Sequence, residues 1–223
     1  MATTITVSGD LYEKRHGINA YGCFEEKPKS DLNTKEQLCR AVKLISDPHT
    51  DFMYDRHRTL IDKILKANRY GYKLRDLISL HQLLTLCADR NATQPEQFKQ
   101  HLLELINLCK YPYLKELSSD EKTYFNVCTD SLSQLGYLLR VNDRQIQLAI
   151  CHALEEFYDP IERPPCIPEA WNMRHTSPEF NRQTMEQSDV TESLFLLYTT
   201  LEGFTKLRLR ALKILQRLTF NSG

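Results

Sequence analysis

The chain has 223 residues, 29 of them basic and 29 acidic, so its formal net charge is zero. No excess of either sign draws nucleic acid or an anionic membrane over long range, which disfavours both as partners. A chain of this length buries about 70% of its unfolded surface, and no apolar run reaches the ~18 residues of a membrane-spanning helix. The N-terminus MATTITVSGD lacks the apolar segment of a signal peptide, so a cytosolic chain is expected. Seven cysteines without a Cys-x-x-Cys pair read as thiols in a reducing compartment.

Residues 1–30 are polar, carry Gly9, Gly17 and Gly22, and hold no sustained period; they read as an extended N-terminal arm. Residues 31–159 then form a helical repeat domain. Its first helix starts near Thr34, with Gln37 placed to complete a capping box, and shows Leu38, Val42 and Ile45 on one face before Asp47-Pro48 stops it. A second helix runs from about Asp51, striped by Met53, Leu60, Ile61, Ile64 and Leu65, with Gly71 as its C-cap. His57 falls on that stripe and is expected to be packed and hydrogen-bonded, since no second histidine stands at a ligand spacing.

The third helix, Lys73 to about Asp89, is apolar almost all round, so it should be central. Thr93 and Glu96 read as the next capping box, with Pro95 in the first turn and the sequon Asn91-Ala92-Thr93 serving only as a cap. Phe98, Leu102, Leu105, Ile106 and Cys109 carry the fourth helix to the break at Tyr111-Pro112-Tyr113, after which Leu114–Leu117 suit one short turn. Ser118 to Glu121 starts a fifth helix that runs to Arg140. Asp120 and Glu121 are neighbours on that helix and diverge too widely to act as an acid–base pair.

Asn142 and Gln145 open the sixth helix, striped by Ile146, Ile150, Leu154, Phe157 and Tyr158. Glu155, Glu156 and Asp159 crowd its C-terminal end, where the helix dipole disfavours them, so a basic neighbour is expected there. Cys87, Cys109, Cys128 and Cys151 recur about once per helix, as small apolar residues in a repeated core position do.

Residues 160–186 read as a proline-rich loop, with Trp171 and Met173 as its candidate contacts for another protein, or anchors on its own solenoid. Residues 187–223 then close the same solenoid with a terminal helical pair. Its first helix presents Val190, Leu194, Leu197 and Leu201. On the second, Lys206, Arg210, Lys213 and Arg217 share a narrow stripe, while Leu212, Leu215 and their neighbours cover most of the remaining circumference. That stripe suits an acidic segment such as a tubulin tail or an acidic helix, with a solvated face as the alternative. So wide an apolar arc wants further helical repeats or a partner helix capping the C-terminal end.

Amphipathic helices on short connections bury their faces by stacking on their neighbours. The expected fold is therefore all-α: an armadillo/HEAT-like α-solenoid of about eight helices with an extended arm and a proline-rich loop. No phosphate loop, dinucleotide fingerprint, H-E-x-x-H or Ser-His-Asp set is present, so no catalytic, cofactor-binding or metal residue is expected.

Six stretches carry a resemblance: LRDL at Leu74–Leu77, LINLCKYPYLK at Leu105–Lys115 with SSDEKTY at Ser118–Tyr124, LGYLL at Leu135–Leu139, QIQLAICHALEEFYD at Gln145–Asp159 and LKILQRL at Leu212–Leu218. In this order and at this spacing, the chain resembles the N-terminal armadillo-like region of the cilia- and flagella-associated protein 69 family. The resemblance implies a non-enzymatic structural component of the motile cilium, placed in the central apparatus and its C1b projection and needed for ciliary and sperm-tail beating. Its partners would be other axonemal central-apparatus proteins and tubulin, and its location the cytoplasm, the cilium axoneme and the sperm flagellum. The family's proteins are several times longer, so a fragment, a short isoform or a short relative is expected. A general cytosolic α-solenoid that binds peptides without a ciliary role is the alternative reading.

Overall fold

The computed structural model describes residues 34–220, apart from 69, 117–120, 160–165, 168–171 and 204. The arm at 1–30, the helix start at Ser118–Asp120 and Trp171 fall outside the described residues, as do the side chains of Thr34 and Gln37. Nine α-helices are described: α1 (Thr34–Ser46), α2 (Tyr54–Ala67), α3 (Leu74–Thr93), α4 (Pro95–Leu108), α5 (Glu121–Tyr137), α6 (Arg144–Tyr158), α7 (Pro178–Glu186), α8 (Val190–Thr200) and α9 (Thr205–Phe220). Short 3₁₀ turns at Pro48–Met53 and Leu138–Arg140 precede α2 and follow α5.

The contacts between helices arrange them as two layers. In one, α1 packs on α3, α3 on α5 and α5 on α8; in the other, α2 packs on α4, α4 on α6 and α6 on α9. Rungs α1–α2, α3–α4 and α8–α9 join the layers, and the short α7 wedges against α5, α6 and α8. This is an all-α, armadillo-like solenoid, in which each pair buries its stripe against the next. α3 touches α1, α4 and α5, and for that reason Leu77, Leu80, His81, Leu83, Leu84 and Cys87 are all buried on different sides of it. Cys87, Cys109, Cys128 and Cys151 are buried free thiols, one on or beside each successive helix of the stack.

Where the structure departs from the sequence reading, the cause is strand pairing between distant segments, a polar core face or a shifted cap. Three strands, β1 (Tyr72–Lys73), β2 (Tyr113–Glu116) and β3 (Met173–His175), form a small sheet in which β2 lies parallel to β1 and antiparallel to β3. Leu114 therefore sits in a strand rather than a turn; strands of two to four residues are too short to show an alternating period. Within the supposed loop at 160–186 the structure places β3 and α7. The buried face of α7 includes Asn181 and Thr184 beside Met185, so its core side is largely polar and leaves no apolar period to detect. Its start was nevertheless written in the chain: the Ser177 hydroxyl accepts the Phe180 amide at 3.1 Å, and Pro178 fills the first turn.

Three caps also shift. The sequon lies inside the last turn of α3, where the Thr93 hydroxyl donates to the Arg90 carbonyl, so no Thr93–Glu96 box forms; Gln94 begins α4 without a side-chain cap. Helix α2 ends at Asn68, and Gly71 turns the chain three residues later, with φ +118°. Asp143, not Asn142, caps α6, its carboxylate accepting the amides of Gln145 at 2.9 Å and Ile146 at 3.2 Å.

The Asp143 carboxylate also meets Lys99 on α4 at 2.8 Å. Partial burial disfavours its charge, but the hydrogen bonds from Lys99 and the two amides outweigh that and hold its pKa below the ordinary value. Asp143→Ala is expected to cost about 1–2 kcal/mol in a urea titration, and Asp143→Asn, which keeps an acceptor at the cap, measurably less. The contribution is present above the ordinary carboxylate pKa and fades as pH falls through the lowered one.

His57 is fully buried, with Nε2 3.2 Å from the Thr50 hydroxyl and its ring against Phe98, so it is a packed core residue. His81 carries the larger pH consequence, because burial pulls its pKa from 6.5 down to about 4. A depressed histidine keeps its stability contribution above the unfolded pKa and loses it as pH falls. The expected loss between pH 7 and pH 5 is about 2 kcal/mol, read from urea midpoints, and a His81→Asn variant that still folds should show a flatter profile.

Candidate functional site: an apolar groove at the end of the stack

Helices α8 and α9 run antiparallel at the C-terminal end of the two layers. Val190, Ser193, Leu194 and Leu197 of α8 and Leu207, Ala211, Ile214 and Leu218 of α9 face inward and are buried. That leaves the opposite side of each helix free, and both carry apolar residues there. Phe195 is 59% exposed, Leu209 52% and Leu196 45%, while Leu212 and Leu215 are half-buried. Between the helices lies an open groove of about 640 Å³, with Phe195 and Tyr198 on the α8 wall and Leu212 and Leu215 on the α9 wall.

Charged residues border the groove. At the start of α8 stand Asp189 and Glu192, facing Gln216 and Thr219 near the end of α9. The Asp189 backbone amide donates to the Ser133 hydroxyl at 3.0 Å, and its carboxylate accepts the Tyr137 hydroxyl at 2.6 Å, which anchors this end to α5. That bond, together with the carboxylate's charge, raises the Tyr137 pKa. At the other end the Arg208 guanidinium lies over the Tyr198 ring at 5.0 Å, with Lys206 exposed one turn before Leu209 and Arg210.

Leu212 and Leu215, expected from the sequence as an open apolar arc, line this groove. Lys206, Lys213 and Arg217 are exposed, but the basic stripe is interrupted: Arg210 Nε meets Glu155 of α6 at 3.1 Å, supplying the basic neighbour that the acidic end of α6 wanted. Met173 is half-buried in β3 and does not line the groove. Phe195, Glu192, Tyr198 and Arg208 went unremarked in the sequence. Their signal was present, because Phe195 and Leu196 fall off the Val190–Leu194–Leu197 stripe and have no place in its core.

The chemistry available here is association. A Phe or Leu side chain taken out of water contributes roughly 1.5–3 kcal/mol, and Phe195, Leu212 and Leu215 line the groove. The buried thiols offer nothing reactive, since burial pushes the Cys87 and Cys151 pKa values up to about 12 and raises that of Cys128 as well. Among the described residues, no three His, Cys, Asp or Glu side chains converge on a position for a metal ion, and no helix is long and apolar enough to cross a membrane.

Compared with known families, residues 36–223 match cilia- and flagella-associated protein 69, ARM repeat. The chain belongs to that family. Its relatives of the same name include the human protein, 27% identical over 195 residues, which are 87% of this chain and 20% of the human one. The olive baboon protein (Papio anubis) is 28% identical over 182 residues, covering 82% of this chain and 19% of its own, and the mouse protein (Mus musculus) is 27% identical over 184, covering the same shares. The chain thus spans about a fifth of the length of the curated relatives it matches. Family membership and the two-layer stack agree: the matched residues run from α1 through α9, so the armadillo-type region includes both walls of the groove.

Proposed function

We infer that the chain is a non-enzymatic scaffold or adaptor of the motile-cilium axoneme, acting in the central apparatus at its C1b projection and supporting ciliary and sperm-flagellar beating. The observation that carries the reading is the apolar α8–α9 groove, a surface with the composition of a docking site, in a chain whose family is named for cilia and flagella. Leu212 and Leu215 form the floor of that contact with Phe195, and the exposed Lys206, Lys213 and Arg217 meet acidic segments beside it, those of tubulin or of other central-apparatus proteins. Arg210 is committed to Glu155 and serves the fold.

Crosslinking mass spectrometry on isolated axonemes tests this directly. Lysine-reactive crosslinks from Lys206 and Lys213 to central-apparatus components are the expected result. Crosslinks confined to the outer doublets, or a chain absent from axonemes and present in cells without cilia, would overturn it.

A further inference from the structure

We propose that Ser177 is a phosphorylation site, and that its phosphoryl group lodges in a basic pocket between the small sheet and the start of α7, held by Arg174 and Lys115. The pocket shares no residue with the α8–α9 groove, so it is independent of what docks there.

Two observations carry it. The first is the pocket itself, about 240 Å³ and lined by Lys115 of β2, Arg174 and His175 of β3, and Thr176, Ser177 and Phe180. Lys115 stands directly across from Arg174 in the antiparallel pairing, so the sheet sets two cations opposite each other at one cavity. Like charges in that relation destabilise the pairing, and an anion between them turns the repulsion into two attractions. Lys115 is only 7% exposed, its ammonium 5.7 Å from the Tyr124 ring centroid, while Arg174 is exposed. No carboxylate stands among the described lining residues; Glu179, in the first turn of α7, accepts the Gln183 side-chain amide at 3.0 Å.

The second is the residue that supplies the anion. Of the nine prolines in the sequence, only Pro178 follows a serine or threonine, which makes Ser177 the one acceptor of the Ser-Pro type that proline-directed protein kinases modify. It is exposed, and its backbone, at φ −70° and ψ 155°, is already extended, as a kinase substrate must be. The first turn of α7 has to open on the kinase, at small cost in a helix of nine residues. In the transfer, Ser177 Oγ bonds to the γ-phosphorus of the kinase-bound nucleoside triphosphate and the bond from that phosphorus to the β–γ bridging oxygen breaks. The nucleoside diphosphate leaves, and the hydroxyl proton passes to the kinase's catalytic carboxylate. The Ser177 hydroxyl now accepts the Phe180 amide at 3.1 Å; a phosphoryl dianion takes that amide with one oxygen and faces Arg174 and Lys115 with the others, tying β2, β3 and α7 together.

The test uses the whole 223-residue chain. Incubated with a proline-directed kinase and magnesium ATP, it should gain a phosphate that fragmentation mass spectrometry places at Ser177 and that Ser177→Ala does not acquire. A chain carrying phosphoserine at position 177 throughout, made by genetically directed incorporation, should melt roughly 2–6 °C above the unmodified chain. Arg174→Gln should remove at least half of that rise without lowering the melting temperature of the unmodified chain, since it also relieves the repulsion from Lys115. In a phosphorus NMR titration the phosphoserine, whose ordinary pKa is about 6, should titrate about half a unit or more lower, and Arg174→Gln should move it back.

No transfer to Ser177, a phosphorylated chain that melts at or below the unmodified one, or a rise and a titration both indifferent to Arg174→Gln would each overturn the proposal. So would an equal rise from millimolar inorganic phosphate on the unmodified chain, which would assign the pocket to a diffusible anion.

Discussion

Phe157→Ala is expected to lower the unfolding free energy by about 4 kcal/mol. Phe157 is fully buried on α6, its ring centroid 5.1 Å from that of Tyr113 on β2, and its carbonyl accepts the Asn181 side-chain amide of α7 at 3.3 Å. Truncation removes the apolar transfer contribution and leaves a cavity at the point where a helix, the sheet and α7 meet. Tyr113 would inherit the void. Its amide bonds the Thr176 hydroxyl and its carbonyl accepts the Thr176 amide, so the backbone around it is held and cannot collapse freely into the space. A urea titration should show a lower midpoint with an unchanged slope, the signature of lost stability without lost compactness. Phe157→Leu, which keeps most of the volume, should cost clearly less. An alanine variant within 1 kcal/mol or so of the parent would show that the site collapses and that the α6–β2 contact is not a keystone of the core.

Gly71→Ala should be nearly as damaging by a different route, about 3 kcal/mol. Gly71 has φ +118°, a region L residues rarely adopt, and a Cβ there would stand 2.6 Å from the Pro112 carbonyl oxygen and 3.3 Å from Leu114 Cγ. The backbone strain alone is worth on the order of 1–3 kcal/mol, and the clash is with main chain, which cannot rotate away. The close approach has a purpose. Gly71 and Pro112 immediately precede β1 and β2, and only when the two turns nearly touch can Tyr72 pair with Tyr113 in parallel. A fall in melting temperature of roughly 6–12 °C is expected, with faster amide exchange along β2. Gly203→Ala separates the causes, since Gly203 also has positive φ, +76°, but nothing within 4 Å of its Cβ position. It should show the strain without the clash. If the two variants melted together, the contact with Pro112 would carry no weight.

Both variants probe the same region, where the small sheet ties distant parts of the stack. β1 lies between α2 and α3, β2 between α4 and α5, and β3 ahead of α7. The His175 ring reaches the Tyr70 carbonyl at 2.8 Å, across 105 positions in the chain, and Thr176 continues the chain of bonds through Asn181 to the end of α6. Connections that a helix count treats as spacers thus carry the buried polar network that orients α7, which in turn packs on α8, one wall of the groove.

The sequence by itself determined the described helices other than α7, and their inward faces. A stripe such as Leu38–Val42–Ile45 or Phe98–Leu102–Leu105 states which side of a helix must leave water, and the order and spacing of those stripes over short connections allow little besides a stack. The centrality of α3, the core thiols and the basic neighbour of Glu155 followed from the same local rules. So did the apolar arc of α9, with Leu212 and Leu215 on it, because an arc wider than one neighbour can cover is visible in the sequence alone.

Only the tertiary structure decided what depends on residues far apart in the chain. The sheet exists because three turns meet, and none of its strands is long enough to declare itself. The core face of α7 is polar because Asn181 bonds Thr176 and the Phe157 carbonyl of α6, while Thr184 bonds carbonyls of its own helix, so its helicity was hidden from a pattern of apolar residues. Arg210 could be counted in a basic stripe until α6 supplied a carboxylate for it. The groove likewise needs α8 and α9 side by side before Phe195 acquires an opposite wall. A side chain's own chemistry is local, but its partners are set by packing, and a docking surface is made of partners.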